Sequence, residues 1–204
     1  IRKNFSKQMQ KHSLKREIIS TQLSNLITNE MGATFVQRLH DETSSPVPDI
    51  VKSYIAARTI FNIRDIIHAV EALDNSLSAI VESDVMTNLY RFMRRTTRWL
   101  IRHTEPNFNI QTIVDKFAPS FIEFEKHIDK WLVGSEATRL IEQISVLIEA
   151  GIPHELANKI AKTNFLFSAL DIIEITKKIN APLEKVAMIY LSLGENLELD
   201  WLRN

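Results

Sequence analysis

Only four glycines occur among the 204 residues, at positions 32, 134, 151 and 194, far apart from one another. Few positions can therefore enter left-handed backbone conformations without a steric penalty from Cβ. Phosphate-cradling loops need clustered glycines so that backbone N–H groups can approach the anion. Neither G-x-G-x-x-G nor a P-loop can be written here, which excludes nucleotide sites of those types. Spaced singly, each glycine reads as the residue that closes a helix. Gly32 follows Glu30-Met31, Gly134 follows Trp131-Leu132-Val133, Gly151 follows Glu149-Ala150, and Gly194 follows Leu191-Ser192-Leu193.

Prolines mark the opposite ends. Ile152-Pro153-His154-Glu155, Ala181-Pro182-Leu183-Glu184 and Val47-Pro48-Asp49 each place proline at the first helical position with a carboxylate after it. The proline gives up an N–H that has no partner there, and the carboxylate faces the positive end of the helix dipole. Between these marks the apolar spacing is helical. Leu14, Ile18, Ile19, Leu23, Leu26 and Ile27 predict a first helix, and Phe35, Val36 and Leu39 a short second one. Ile50 to Ala57 and Ile63 to Leu73 follow, then a long stretch from about Leu77 to His103 and another from Ile110 to Leu132. Pro119 inside the latter predicts a kink or break. Three more helices fill the remainder, ahead of a final Leu197-to-Leu202 segment, and no alternating strand pattern is convincing. The fold expected is all-α, a multi-helix bundle of about eight to ten helices. Residues 1–204 are expected to form one domain, with a boundary between two sub-bundles at 105–109.

Composition narrows the function classes. Lys and Arg number 25 and Asp and Glu 25, so no whole-surface attraction draws the chain to nucleic acid or an anionic membrane. With no cysteine, disulfides, iron–sulfur clusters, thiolate zinc sites and cysteine nucleophiles are excluded. No apolar run approaches membrane-spanning length. The leading Ile1 is read as the start of a piece of a longer chain.

Charged side chains offer few constellations. His12, His40, His68, His103, His127 and His154 include no H-x-x-x-H or H-E-x-x-H pair, so no helix face offers two imidazoles to a metal. Glu123 with Glu125, and Asp171 with Glu174, fit solvated or inter-helix roles equally well. Two basic features stand out. Arg2, Lys3, Lys7, Lys11, Lys15 and Arg16 precede the first acidic residue, Glu17, and read as a solvated terminal segment. Arg91, Arg94, Arg95, Arg98 and Arg102 share one helical stripe beside the apolar face of Val85, Leu89, Phe92, Met93 and Leu100, with Trp99 towards the apolar side. On a lone domain such a stripe reads first as solvated, because exposed ion pairs stabilise little. The competing reading is an interface, where desolvated arginine and tryptophan contribute strongly.

A resemblance supplies what composition does not. The run His12-Ser13-Leu14-Lys15-Arg16-Glu17-Ile18-Ile19-Ser20-Thr21-Gln22-Leu23, ending in Met31-Gly32, resembles the H-P-L-x-R-E-I-I-A-T-Q-L…M-G segment of the large bacterial NAD-specific glutamate dehydrogenases. Phe35-Val36-Gln37-Arg38-Leu39, Ala56-Ala57-Arg58-Thr59-Ile60-Phe61 and Glu71-Ala72-Leu73-Asp74 continue it in order. Thr97-Arg98-Trp99-Leu100-Ile101-Arg102 is similar to the family's T-R-W-L-L-R, and Lys116-Phe117-Ala118-Pro119 to its R-F-A-P. Ala169-Leu170-Asp171-Ile172-Ile173-Glu174 and Leu193-Gly194-Glu195, then Leu199-Asp200-Trp201-Leu202-Arg203, resemble the end of that chain. Ser13 stands where the family usually has proline, and Ile67 where tryptophan is common.

The resemblance implies a parent enzyme that oxidises L-glutamate to 2-oxoglutarate and ammonium while reducing NAD⁺. It implies that the catalytic residues and the dinucleotide turn lie upstream, so no catalytic, cofactor-binding or metal residue is assigned in this segment. The expected role is that of a non-catalytic helical domain in a cytoplasmic homo-oligomer, packing on the catalytic region or a neighbouring subunit. Arg91, Arg94, Arg98, Trp99, Arg102, Asp200 and Trp201 are the candidate interface residues. The alternative is a stand-alone helical module that binds a partner protein.

Overall fold

The computed structural model describes residues 12–73 and 76–196. Among them are ten helices and no strand, as expected for an all-α bundle. They are α1 (Lys15–Met31), α2 (Phe35–Thr43), α3 (Val47–Ile60), α4 (Ile63–Glu71) and α5 (Ala79–His103). After these come α6 (Ile110–Trp131), α7 (Gly134–Glu149), α8 (His154–Leu166), α9 (Ser168–Ile179) and α10 (Leu183–Asn196). The expected terminal segment Leu197–Leu202 lies outside the described residues, as do Asp200 and Trp201.

The centre is α3, which packs against α2, α4, α5 and α6. It can be surrounded because its buried positions alternate large and small: Ile50, Tyr54 and Ile60 fill space, while Ser53, Ala56 and Ala57 let neighbouring backbones approach. Phe61, just past its end, meets Phe92 of α5 edge-on at 4.9 Å and Phe121 of α6 at 4.5 Å. On the far side, α6 packs against α9 and α10, and α8 bridges α4, α5, α7 and α9. One contiguous apolar core runs from Ile27 to Leu191. The 104–109 connection is tied to α3, where Asp49 Oδ1 accepts from the Asn107 N–H at 3.1 Å and Lys52 Nζ donates to Asn107 Oδ1.

Several helix ends differ from the expected punctuation. Gly32 does close α1, with φ 84° and ψ 159°, and Gly151 follows α7 with φ 98°. Gly134 instead opens α7, and Gly194 lies within α10. Ser44 and Asn180 take the left-handed position after α2 and α9 that glycine was expected to supply. Short polar side chains tolerate it because they can hydrogen-bond locally. Pro153 and Pro182 sit one residue before their helices, and Pro48 is second in α3 behind the capping Pro46. Of the kink or break expected at Pro119, the break does not occur: α6 is continuous from Ile110 to Trp131. Proline costs a helix interior about 3 kcal/mol, and burial of Phe117, Phe121, Phe124, Ile128 and Trp131 along the same helix outweighs it.

Gly32 occupies a backbone region that only glycine enters readily, although a Cβ there would meet open space. Gly32→Ala is therefore expected to destabilise the domain by about 1–3 kcal/mol through backbone strain alone. The check is a lower urea midpoint at unchanged slope; an unchanged midpoint would contradict it.

Candidate interface site

The arginine stripe lies on α5, whose opposite face is core. Burial of Val85, Leu89, Phe92, Met93, Thr96, Thr97 and Leu100 fixes its rotation, and the Thr96 and Thr97 hydroxyls donate to the carbonyls of Phe92 and Met93 in the same helix. At about 100° per residue, the five arginines are left on the remaining side. They meet different surroundings. Arg94 Nη2 donates to Glu42 Oε1 at the end of α2, and Arg98 Nη1 lies 3.6 Å from Glu42 Oε2. The Arg95 guanidinium sits 4.4 Å from the Phe167 ring centre, between α8 and α9. Arg91 and Arg102 are exposed at the two ends of the stripe.

Trp99 belongs to the interior. It is 7% exposed, and its Nε1–H donates to Asp171 Oδ1 of α9 at 2.8 Å. Its ring stacks on His103 with centres 3.9 Å apart and meets Phe117 of α6 edge-on. Asp171 also accepts from the Tyr190 hydroxyl of α10 at 3.3 Å. Four helices thus converge on one indole and one carboxylate. Beside them Lys116 of α6 donates to Glu174 of α9 at 2.6 Å. Burial pushes the Glu174 carboxyl up, but the hydrogen bond from Lys116 and the charges of Lys116, Lys178 and His103 outweigh it and hold it below the ordinary range. Lys177 donates to the Lys116 carbonyl and titrates lower than a free lysine, because of burial first and Lys116 repulsion second.

A third cluster joins α1 to α3. Glu30 accepts from Arg58 Nη2 at 2.6 Å and from its Nε, shared between both carboxylate oxygens at 2.7 and 3.1 Å, and also from the Tyr54 hydroxyl. Burial alone pushes the Glu30 carboxyl up, yet the donors Arg58 and Tyr54 hold it below the usual range. Tyr54 is raised, by burial and by the carboxylate that accepts its hydrogen bond. A cavity of about 540 Å³ beside this cluster is lined by Leu26, Asn29, Arg64, Ile67, His68 and Met86, among others.

Sequence reasoning placed Trp99 towards the apolar side and grouped the arginines, but did not find Glu42, Glu30 or Tyr190 as partners. A signal for Arg58 was present: it stands four residues after Tyr54 on the apolar side of α3, where a charge must find a counter-ion. No comparable signal singles out Glu42, 52 residues from Arg94. The described residues contain no group of three side chains placed to hold a metal ion, and no helix long and apolar enough to cross a membrane.

Among the described residues, ten helices share one apolar core and are cross-linked by inter-helix ion pairs, which defines an all-helical bundle. Residues 1–204 match the family model described as "Glutamate dehydrogenase, C-terminal" throughout, and the chain belongs to that family. Among curated proteins it is 34% identical over 198 residues to an NAD-specific glutamate dehydrogenase of Halomonas elongata, which covers 97% of this chain and 12% of that protein. A protein of the same name from Pseudomonas aeruginosa is 32% identical over 197 residues, and one from Mycobacterium tuberculosis 25% over 203. The chain spans 12% of the length of each of these relatives.

Proposed function

We propose that this chain is the C-terminal helical domain of an NAD-specific glutamate dehydrogenase, and that it supports domain packing and subunit assembly without contributing catalytic groups. The observation that carries this reading is the 34% identity spread over 97% of the chain to a protein of that name. The parent reaction is L-glutamate, NAD⁺ and water going to 2-oxoglutarate, ammonium and NADH, with NAD bound outside this segment. The named relatives come from bacteria, which supports a bacterial cytoplasmic enzyme, and an absence of cysteine suits a reducing compartment. The interface proposed on the arginine stripe reaches its partner, the catalytic region or a neighbouring subunit of a homo-oligomer, through the exposed Arg91 and Arg102. Arg94, Arg98 and Trp99 hold that stripe in place through Glu42 and Asp171. Asp200 and Trp201 belong to the same proposed interface.

The test is glutamate-dependent NADH production by the full-length enzyme and by residues 1–204 alone. Turnover is expected from the first and none from the second; NADH made by the segment alone would overturn the non-catalytic role. In the full-length enzyme, Arg91→Ser with Arg102→Ser is expected to weaken assembly in analytical ultracentrifugation while leaving the domain's melting temperature unchanged. Wild-type assembly in that variant would remove the stripe from the interface.

A further inference from the structure

Helix α1 is packed at only one end. Its seventeen residues span about 25 Å at 1.5 Å per residue, yet only Ile27 and Met31, in its last third, are buried. Every residue from His12 to Gln22 is exposed. Leu14 is 55% exposed, Ile18 42% and Ile19 46%. Leu14 and Ile18 are four residues apart and form one short row, while Ile19 and Leu23 form a second. At about 100° per residue the first row lies on a different side of the helix from the second, and the second continues in steps of four into the Ile27 and Met31 side that meets the domain. An unpacked helical stretch of this length is marginal in water even with better helix formers. Apolar residues on more than one side mark a helix that is enclosed rather than laid on a flat surface.

What encloses it follows from charge and chain length. Six basic residues, Arg2, Lys3, Lys7, Lys11, Lys15 and Arg16, precede the first acidic one, Glu17. A complementary cleft is apolar within and acidic at its rim. The relatives are about eight times longer than the segment they share with this chain, and the matching family model is of a C-terminal region. A C-terminal region of so long a polypeptide has most of the remaining length on its N-terminal side, and α1 is the described helix nearest to it. We infer that the first half of α1 inserts into an acidic-rimmed apolar cleft of the catalytic region of the same polypeptide. The inserted helix is thus a splint between the two regions. This inference rests on the proposed function and adds the surface that does the packing.

The experiment uses the full-length enzyme with photoreactive benzoylphenylalanine in place of Ile18. Irradiation followed by peptide mapping is expected to join position 18 to residues upstream of this domain. Mixing isotopically light and heavy subunits is expected to show that the link forms within one polypeptide. In parallel, hydrogen exchange of the α1 amides is expected to quicken at least tenfold in the Leu14→Ser, Ile18→Ser variant, with α5 and α6 unchanged. A light–heavy link would make a second copy the occupant, and a link to helices of this domain, or no link, would leave the half-helix without an upstream cleft; each overturns the inference. Glutamate turnover is scored separately: an active enzyme with the link elsewhere defeats the splint alone, and an upstream link without turnover defeats the enzymatic reading alone.

Discussion

Trp99→Ala is expected to cost the domain about 3–5 kcal/mol, the range for removing a large aromatic side chain from a core. At roughly 2–4 °C per kcal/mol for a domain of this size, the melting temperature falls by about 6–20 °C. Three losses combine. The indole leaves a void between α5, α6 and α9, Asp171 is left with the longer bond from the Tyr190 hydroxyl, and His103 and Phe117 lose the ring they pack against. Trp99→Phe separates them, because it retains most of the packing and removes the N–H. It is expected to cost about 1–2 kcal/mol, as befits one hydrogen bond to a charged acceptor. Urea unfolding of both variants at neutral pH checks the pair, and equal losses from alanine and phenylalanine would show that the indole packs less than its surroundings indicate.

Glu30→Gln is expected to destabilise the domain by about 2–4 kcal/mol at pH 7, somewhat below the loss for breaking a fully buried pair. The side chains of Glu30 and Arg58 are only 14% and 18% exposed, so solvent cannot fully replace the lost carboxylate as the counter-charge to the Arg58 guanidinium. The pH dependence follows from the direction of the Glu30 shift. Its carboxyl is held below the ordinary value of 4.5 in the folded protein. The stabilisation is therefore complete above that value and is lost as the pH falls through the lower folded one. The gap between wild type and Glu30→Gln should be widest at neutral pH and close in acid. A gap of equal size at pH 7 and pH 3.5 would mean that the variant acts through packing rather than charge.

These two positions show how much could be read before the structure. Trp99 was legible as core-facing, because helical periodicity alone puts it beside Phe92 and Leu100. That its N–H meets Asp171, 72 residues later, was not, because the pairing depends on how α9 crosses α5. Grouping of Arg91, Arg94, Arg95, Arg98 and Arg102 on one side was equally a matter of period. Their division into Glu42-bound, ring-stacked and exposed members was a matter of which helix lies opposite each turn. Ser44 and Asn180 went unnoticed as helix stops because any short polar residue can serve, and only the left-handed angle reveals which one does.

Local periodicity, the scarcity of glycine and collinear likeness to one family determined by themselves that this protein is a bundle of helices belonging with glutamate dehydrogenases. Those properties depend on residues within a few turns of one another, or on the order of short runs along the chain. Tertiary structure alone decided that α3 sits at the centre, that α6 runs unbroken through Pro119, and that half of α1 stands clear of the core. Each of these is set by a sum of burial and strain over distant segments. Burial in α6 exceeds the cost of one proline, whereas nothing within the described residues covers Leu14 and Ile18.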